Sequence, residues 1–215
     1  MTGSPEPLRN RLGPRAWALS CTLFITTSIV VWVALASGLA APWLLTLPGE
    51  LWLAVPWTLW TAPLVHFVLP HALAHWLALA ALAAAGTLLP VQPRDALALL
   101  LAWPLSTAAL LLWPQIDGYY GLASIAHAAT AILAVRAFAH AETYRLGQLV
   151  GTALLLKLAL ERGWEIPVGF ESSWGTNIVF AAHLTGTAAG AASALALEAF
   201  SACSGKRIEP RSGQA

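Results

Sequence analysis

Ser124 and His183 are the residues of this chain whose types and surroundings point to chemistry. Ser124 lies in the apolar run Gly121-Leu122-Ala123-Ser124-Ile125-Ala126-His127, and His183 in Ala182-His183-Leu184-Thr185-Gly186. A polar side chain in hydrocarbon is costly unless it has a partner or a task. A serine hydroxyl becomes a nucleophile when a neighbouring unprotonated imidazole takes its proton, which makes His183 the natural base for Ser124. The oxyanion formed by such an attack needs preorganised donors. His71, His75 and the free amides opening the Ser124 helix are the candidates for that task. His127, one turn below Ser124, is placed to support the pair and orient His183.

His71 and His75 also have the i, i+4 spacing of metal ligands on one helix face. A His-based metal or haem membrane protein is therefore a separate reading, although no HExxH glutamate accompanies them. Pro70 disturbs a regular helix at this point, so His66, His71 and His75 need not form one row.

The elements that must position these groups follow from composition. Of 215 residues, 58% are hydrophobic and 10% charged, outside the range of soluble domains. Crossing about 30 Å of hydrocarbon takes roughly 20 apolar residues. Stretches near 16–38, 60–85, 95–113, 121–139, 147–163 and 177–200 meet this need, giving an all-α membrane protein with six spans. The first run continues past the length of a cleavable signal and is read as a retained span. Residues 1–15 form a basic lead, 16–200 the membrane domain and 201–215 a polar tail.

Arg9, Arg11, Arg15, Arg94, Arg136, Arg145, Lys206, Arg207 and Arg211 fall at the termini or the even-numbered loops. The positive-inside rule then puts both termini in the cytoplasm. Glu50, Asp117, Glu165 and Glu171 lie on the opposite, tryptophan-rich side, expected to face the periplasm across a bacterial inner membrane. Residues 40–59, with three prolines, read as an external loop lying in the interface. Cys21 and Cys203 fall near the cytoplasmic side and imply no disulfide. No nucleotide loop or nucleic-acid footprint is present.

In this topology Ser124 lies about 5 Å and His183 about 9 Å below the external end of their spans. Spans two, four and six hold no aspartate, and a serine-histidine dyad does not require one. Gly186 and Gly190 form a GxxxG pair that lets another backbone approach, so spans four and six are expected to touch. Lys157 and Glu161, four apart in span five, read as a structural ion pair.

From about Trp60 to Phe200 the chain resembles the rhomboid family of intramembrane serine proteases. His66, His71 and His75 follow the family's spacing in its second core span, with His75 in an asparagine position. Ala182, His183 and Gly186 match the sixth span. The rhombosortase branch is the nearer likeness, through Gly121, Leu122 and His127 and through the Lys157-x-x-x-Glu161 segment. One departure is visible: Ala123 stands at the family's nucleophile position and Ser124 where glycine is usual.

The resemblance implies a six-transmembrane-helix rhomboid-like bundle and a Ser124–His183 dyad working without a cofactor. Its partners would be the membrane and exported proteins, cut at a C-terminal sorting segment of Gly-Gly, transmembrane helix and basic tail. The loop from Trp164 through Trp174 would gate their entry on the periplasmic side. Ala123 leaves a second reading, a rhomboid-like pseudoprotease that binds transmembrane clients without cutting them.

Overall fold

The computed structural model describes residues 8–205, a helical membrane protein in which α1 (Leu8–Ala36), α3 (Leu69–Leu88), α4 (Pro93–Ala109), α5 (Ala123–Phe138), α6 (Tyr144–Glu161) and α7 (Phe180–Gly205) are the principal helices. A short helix, α2, covers Thr58–Thr61. Among the described residues, four helical segments are long and apolar enough to cross a membrane: Leu12–Ala36, Leu69–Leu88, Pro93–Leu112 and Phe180–Cys203. The apolar α5 has only 16 residues, about 24 Å at the helical rise. It is enclosed by the others, packing against α3, α4, α6 and α7. Parts of the predicted lead and tail, residues 1–7 and 206–215, lie outside the described residues.

One expectation changes. The stretch near 60–85 does not form one helix. Pro63 lies in a single 3-10 turn, Ala62–Leu64, after which Val65 and Val68 are extended and α3 begins at Leu69. Pro70 fits there because the first helical turn needs no amide hydrogen from it. His66 consequently sits in the segment leading into α3 rather than on the helix. The all-α class holds, with one addition: a small antiparallel hairpin between α6 and α7, β1 (Val168–Glu171) and β2 (Thr176–Val179), with Val168 opposite Val179 and Glu171 opposite Thr176.

Glycine controls how closely the helices approach. A Cβ at Gly186 would lie 2.1 Å from the Ser124 carbonyl oxygen, and one at Gly190 would lie 2.5 Å from that of Ala128. The two contacts advance four residues on each helix, so α5 and α7 run parallel in close register. Elsewhere Trp17 of α1 fills the space left by Gly86 of α3 and donates its indole N–H to the Leu82 carbonyl at 2.9 Å.

The far ends of α4, α5 and α7 are joined by charge. Asp95 caps α4 through the Gln92 amide at 2.6 Å and accepts both Nε and a terminal nitrogen of Arg136, at 2.9 and 2.7 Å. Glu198 of α7 lies 3.2 Å from Arg136 and takes Arg94 at 2.7 and 2.8 Å. Arg94 and Arg136, read from sequence as loop charges, are thus parts of one network. Its Asp95–Arg136 centre is almost fully buried.

Asp95→Ala strands the Arg136 guanidinium and is expected to lower stability by about 3–5 kcal/mol. Gly186→Ala should cost about 1–3 kcal/mol by overpacking, whereas Gly118→Ala, with its nearest added contact at 3.4 Å, should be close to neutral. Unfolding of purified protein by denaturant titration in detergent measures all three.

Candidate active site

The start of α5 is built by its neighbours. Leu47, from the loop between α1 and α2, forms an isolated bridge with Tyr119, exchanging amide hydrogen bonds at 3.1 and 3.2 Å. Gly121 follows at φ +104°, a conformation that L side chains rarely adopt, and donates its amide to Ala62 at 3.1 Å. An added Cβ there would also meet the rings of His71, His75 and His66 at 3.3, 3.6 and 3.7 Å. Glycine is required at this position for both backbone and space.

Ser124 is fully buried in the first turn of α5. Its Oγ lies 3.0 Å from the Tyr119 hydroxyl, which also reaches the Gly121 carbonyl at 2.6 Å. The Ser124 amide donates to the same phenol oxygen at 3.4 Å. Burial pushes the Tyr119 phenol up to about 12, so it keeps its proton at neutral pH. No hydrogen bond joins Ser124 to His183 among the described residues. The two share the α5/α7 interface, with the Ser124 backbone against Gly186, three positions beyond His183.

His183 is held from two sides. Its Nδ1 lies 2.7 Å from a Glu161 carboxylate oxygen, while the other oxygen of that carboxylate takes Lys157. Lys157 Nζ is also 3.5 Å from His183 Nδ1. On the α5 side, His127 stacks on His183 with ring centres 4.1 Å apart and planes at 13°. The His127 Nδ1–H donates to the Ala123 carbonyl at 2.8 Å. Local structure sets the Glu161 position: α6 ends at Arg162 in a left-handed cap, φ 51°, and Gly163 lets the chain pass close to the Phe180 backbone.

A second histidine group covers Gly121. The Trp76 indole N–H donates to Ser28 Oγ at 3.1 Å, and that hydroxyl donates to the Leu64 carbonyl at 2.9 Å. Ser28 therefore accepts from His66 Nδ1, at 3.1 Å. His66 Nε2 is left as an acceptor for His75 Nδ1–H at 3.0 Å and for the Leu122 amide at 3.4 Å. His71, with its ring 4.4 Å from His75 and 5.2 Å from Trp174, keeps a buried Nδ1 that has no partner among the described residues. Trp174 belongs to the turn of the β hairpin, whose turn end is tied to the α5 entrance by Tyr120 and Thr176 at 3.0 Å.

The donors expected around an oxyanion are therefore unequal. His75 Nδ1–H and the Leu122 amide are spent on His66, leaving His71 as the supporting ring with a nitrogen in reserve. Among the described residues, no group of three His, Cys, Asp or Glu side chains could hold a metal ion.

A groove of about 480 Å³ runs between α3, α5 and α6. Ala78 and Leu82 line one wall and Leu149 and Ala153 the other, and it reaches His127 and Lys157. Its surface is almost wholly apolar.

Sequence reasoning missed three participants. Tyr119 and Ser28 carry no motif, and their roles depend on contacts across five and 36 or more positions. Glu161 was read only as the partner of Lys157; its i, i+4 spacing was visible, whereas its approach to His183 depends on the turn after α6. His140 has a buried Nε2 without a partner among the described residues. A scan against family models finds no match, and no curated protein matches the chain.

Ser28→Ala removes the hub shared by Trp76, Leu64 and His66 and should cost about 1–3 kcal/mol through unsatisfied buried groups. Thermal unfolding in detergent, followed by tryptophan fluorescence, checks it; unchanged stability would show that the three partners find other bonds.

Proposed function

We propose that this chain is a rhombosortase-like intramembrane serine peptidase with six spans, both termini cytoplasmic, acting at the periplasmic side of a bacterial inner membrane. The supporting observation is the α5/α7 glycine contact, which brings the Ser124 backbone against Gly186 just below a His183 already held by Glu161 and His127. Nucleophile, base and the first-turn amides of α5 then share one depth and one interface.

In this reading the apolar segment of an exported client lies in the groove between α3 and α6, and its scissile carbonyl reaches the start of α5. Rotation about the Ser124 side-chain bond releases Oγ from Tyr119 toward His183. Hydrogen bonds in resting sites often tighten only when substrate arrives. His183 Nε2 takes the hydroxyl proton as Oγ bonds to the carbonyl carbon. His71 and the first-turn amides face the oxyanion. His183 then returns the proton to the leaving amine as the peptide C–N bond breaks, and water, deprotonated by His183, releases the acyl group from Ser124. The residues supply this chemistry without a cofactor. Sorting segments of Gly-Gly, apolar helix and basic tail fit as clients, since a flexible small pair can enter the narrow start of α5 while the helix fills the groove.

A second reading has its own observation. Ser124 rests on Tyr119, and Ala123 holds the position one residue earlier. A client-binding pseudoprotease would have this arrangement permanently.

Cleavage of an exported reporter bearing that sorting segment tests the proposal. Wild type should cut it, with Ser124→Ala and His183→Ala at equal expression each reducing cleavage by about 100-fold or more. Tyr119→Phe should retain cleavage and label faster at Ser124 with a fluorophosphonate. Cleavage surviving Ser124→Ala overturns the dyad. Capture of uncut reporter by wild type, converted to cleavage by Ala123→Ser, establishes the pseudoprotease instead.

A further inference from the structure

We infer that Glu161 is the positioning residue of His183, and that Lys157 determines which way it works; this rests on reading His183 as a base. A carboxylate only accepts, so the 2.7 Å contact to Nδ1 places the ring proton on that nitrogen and leaves Nε2 bare. A base must present the bare nitrogen to the hydroxyl it activates. The stack of His127 against His183 fixes the ring plane, so Glu161 and His127 set tautomer and orientation between them.

Lys157 gives the pair its polarity. It occupies the carboxylate oxygen that His183 does not use. His183 is faced by Glu161 and Lys157 from α6 and by His127 from α5, with His71 and His75 of α3 within electrostatic reach. Glu161 is the acceptor-only group bonded to Nδ1. The Lys157-x-x-x-Glu161 segment is thereby more than a helix-surface ion pair: one end holds the carboxylate and the other directs a ring proton 22 positions away.

The arrangement gives an isosteric test with an internal rescue. In Glu161→Gln the amide oxygen must serve Lys157, which has donors only, so the NH2 turns toward His183 Nδ1. That nitrogen becomes an acceptor and the proton moves to Nε2, the wrong tautomer for a base. Replacing Lys157 as well, in Lys157→Met/Glu161→Gln, frees the amide oxygen to face His183 and restores the Nδ1–H form.

Nitrogen NMR of histidine-labelled full-length protein in nanodiscs reads the tautomer directly, with the His183 signal assigned by its loss in His183→Asn. The expected sequence is Nδ1–H in wild type, Nε2–H in Glu161→Gln and Nδ1–H again in the double variant. Reporter cleavage should follow it, with kcat lower by about 100-fold or more in Glu161→Gln, KM little changed, and recovery in the double variant. An unchanged His183 tautomer in Glu161→Gln overturns the inference. If the tautomer switches as expected while wild type cuts no reporter, the peptidase reading fails and the positioning role stands. Cleavage by wild type that needs Ser124 and His183 but not Glu161 removes the positioning role alone.

Discussion

The close approach of α5 and α7 is the constraint on which the rest depends. Gly186 and Gly190 place two helix backbones where a single added methyl would collide with carbonyl oxygens. In an apolar solvent helices gain little from burying hydrophobic surface against each other, so contact of this kind relies on shape and close packing. Its geometric result is a parallel pair whose entrances lie at one level. Because α5 is short and enclosed, its first turn cannot drift independently: Leu47, Ala62 and the histidines around Gly121 hold it from the other sides.

Polar groups then organise the two ends differently. At one end Asp95, Arg136, Glu198 and Arg94 satisfy one another across α4, α5 and α7. Arg94 Nε stays buried and without a partner among the described residues. At the other end the hydrogen-bond chain from Trp76 through Ser28 to His66 and His75 is directional and largely saturated. His71 and His183 differ from those rings: one keeps an unpartnered nitrogen, and the other has only its Nδ1 engaged by a carboxylate. In a buried network, an unpartnered nitrogen is expensive unless a ligand or a reaction uses it.

Much of this was legible in the sequence for identifiable reasons. Apolar length located the principal helices, and GxxxG spacing located the α5/α7 contact, because both are periodic and local. The break before α3 was less legible: Pro63 and Pro70 were visible, but placing His66 beside His75 required the extended passage from Val65 to Val68. The hairpin was hidden by its length, since two four-residue strands carry little alternation. Glu161 and Tyr119 were beyond pattern reading. Each reaches its partner through backbone geometry, a left-handed cap at Arg162 in one case and the Leu47 bridge in the other.

The position of Ser124 links packing to chemistry. It occupies the surface of α5 that Gly186 presses against, where a residue must be small, and its hydroxyl needs a partner because it is fully buried. Tyr119 meets that need with a phenol that is itself anchored to Gly121, so the resting bond stabilises the fold at the expense of readiness. A neutral hydrogen bond is worth about 1 kcal/mol net, and a rotamer change between staggered wells adds a modest barrier. Both are small beside the 8 kcal/mol or more that enzymes typically remove from a barrier. The Tyr119 contact alone therefore does not forbid catalysis. The stronger constraint is direction: adjacent helix positions differ by about 100°, so activity at Ser124 requires the scissile carbonyl, arriving from the groove between α3 and α6, to reach Oγ at the start of α5 while the glycine contact between α5 and α7 stays closed.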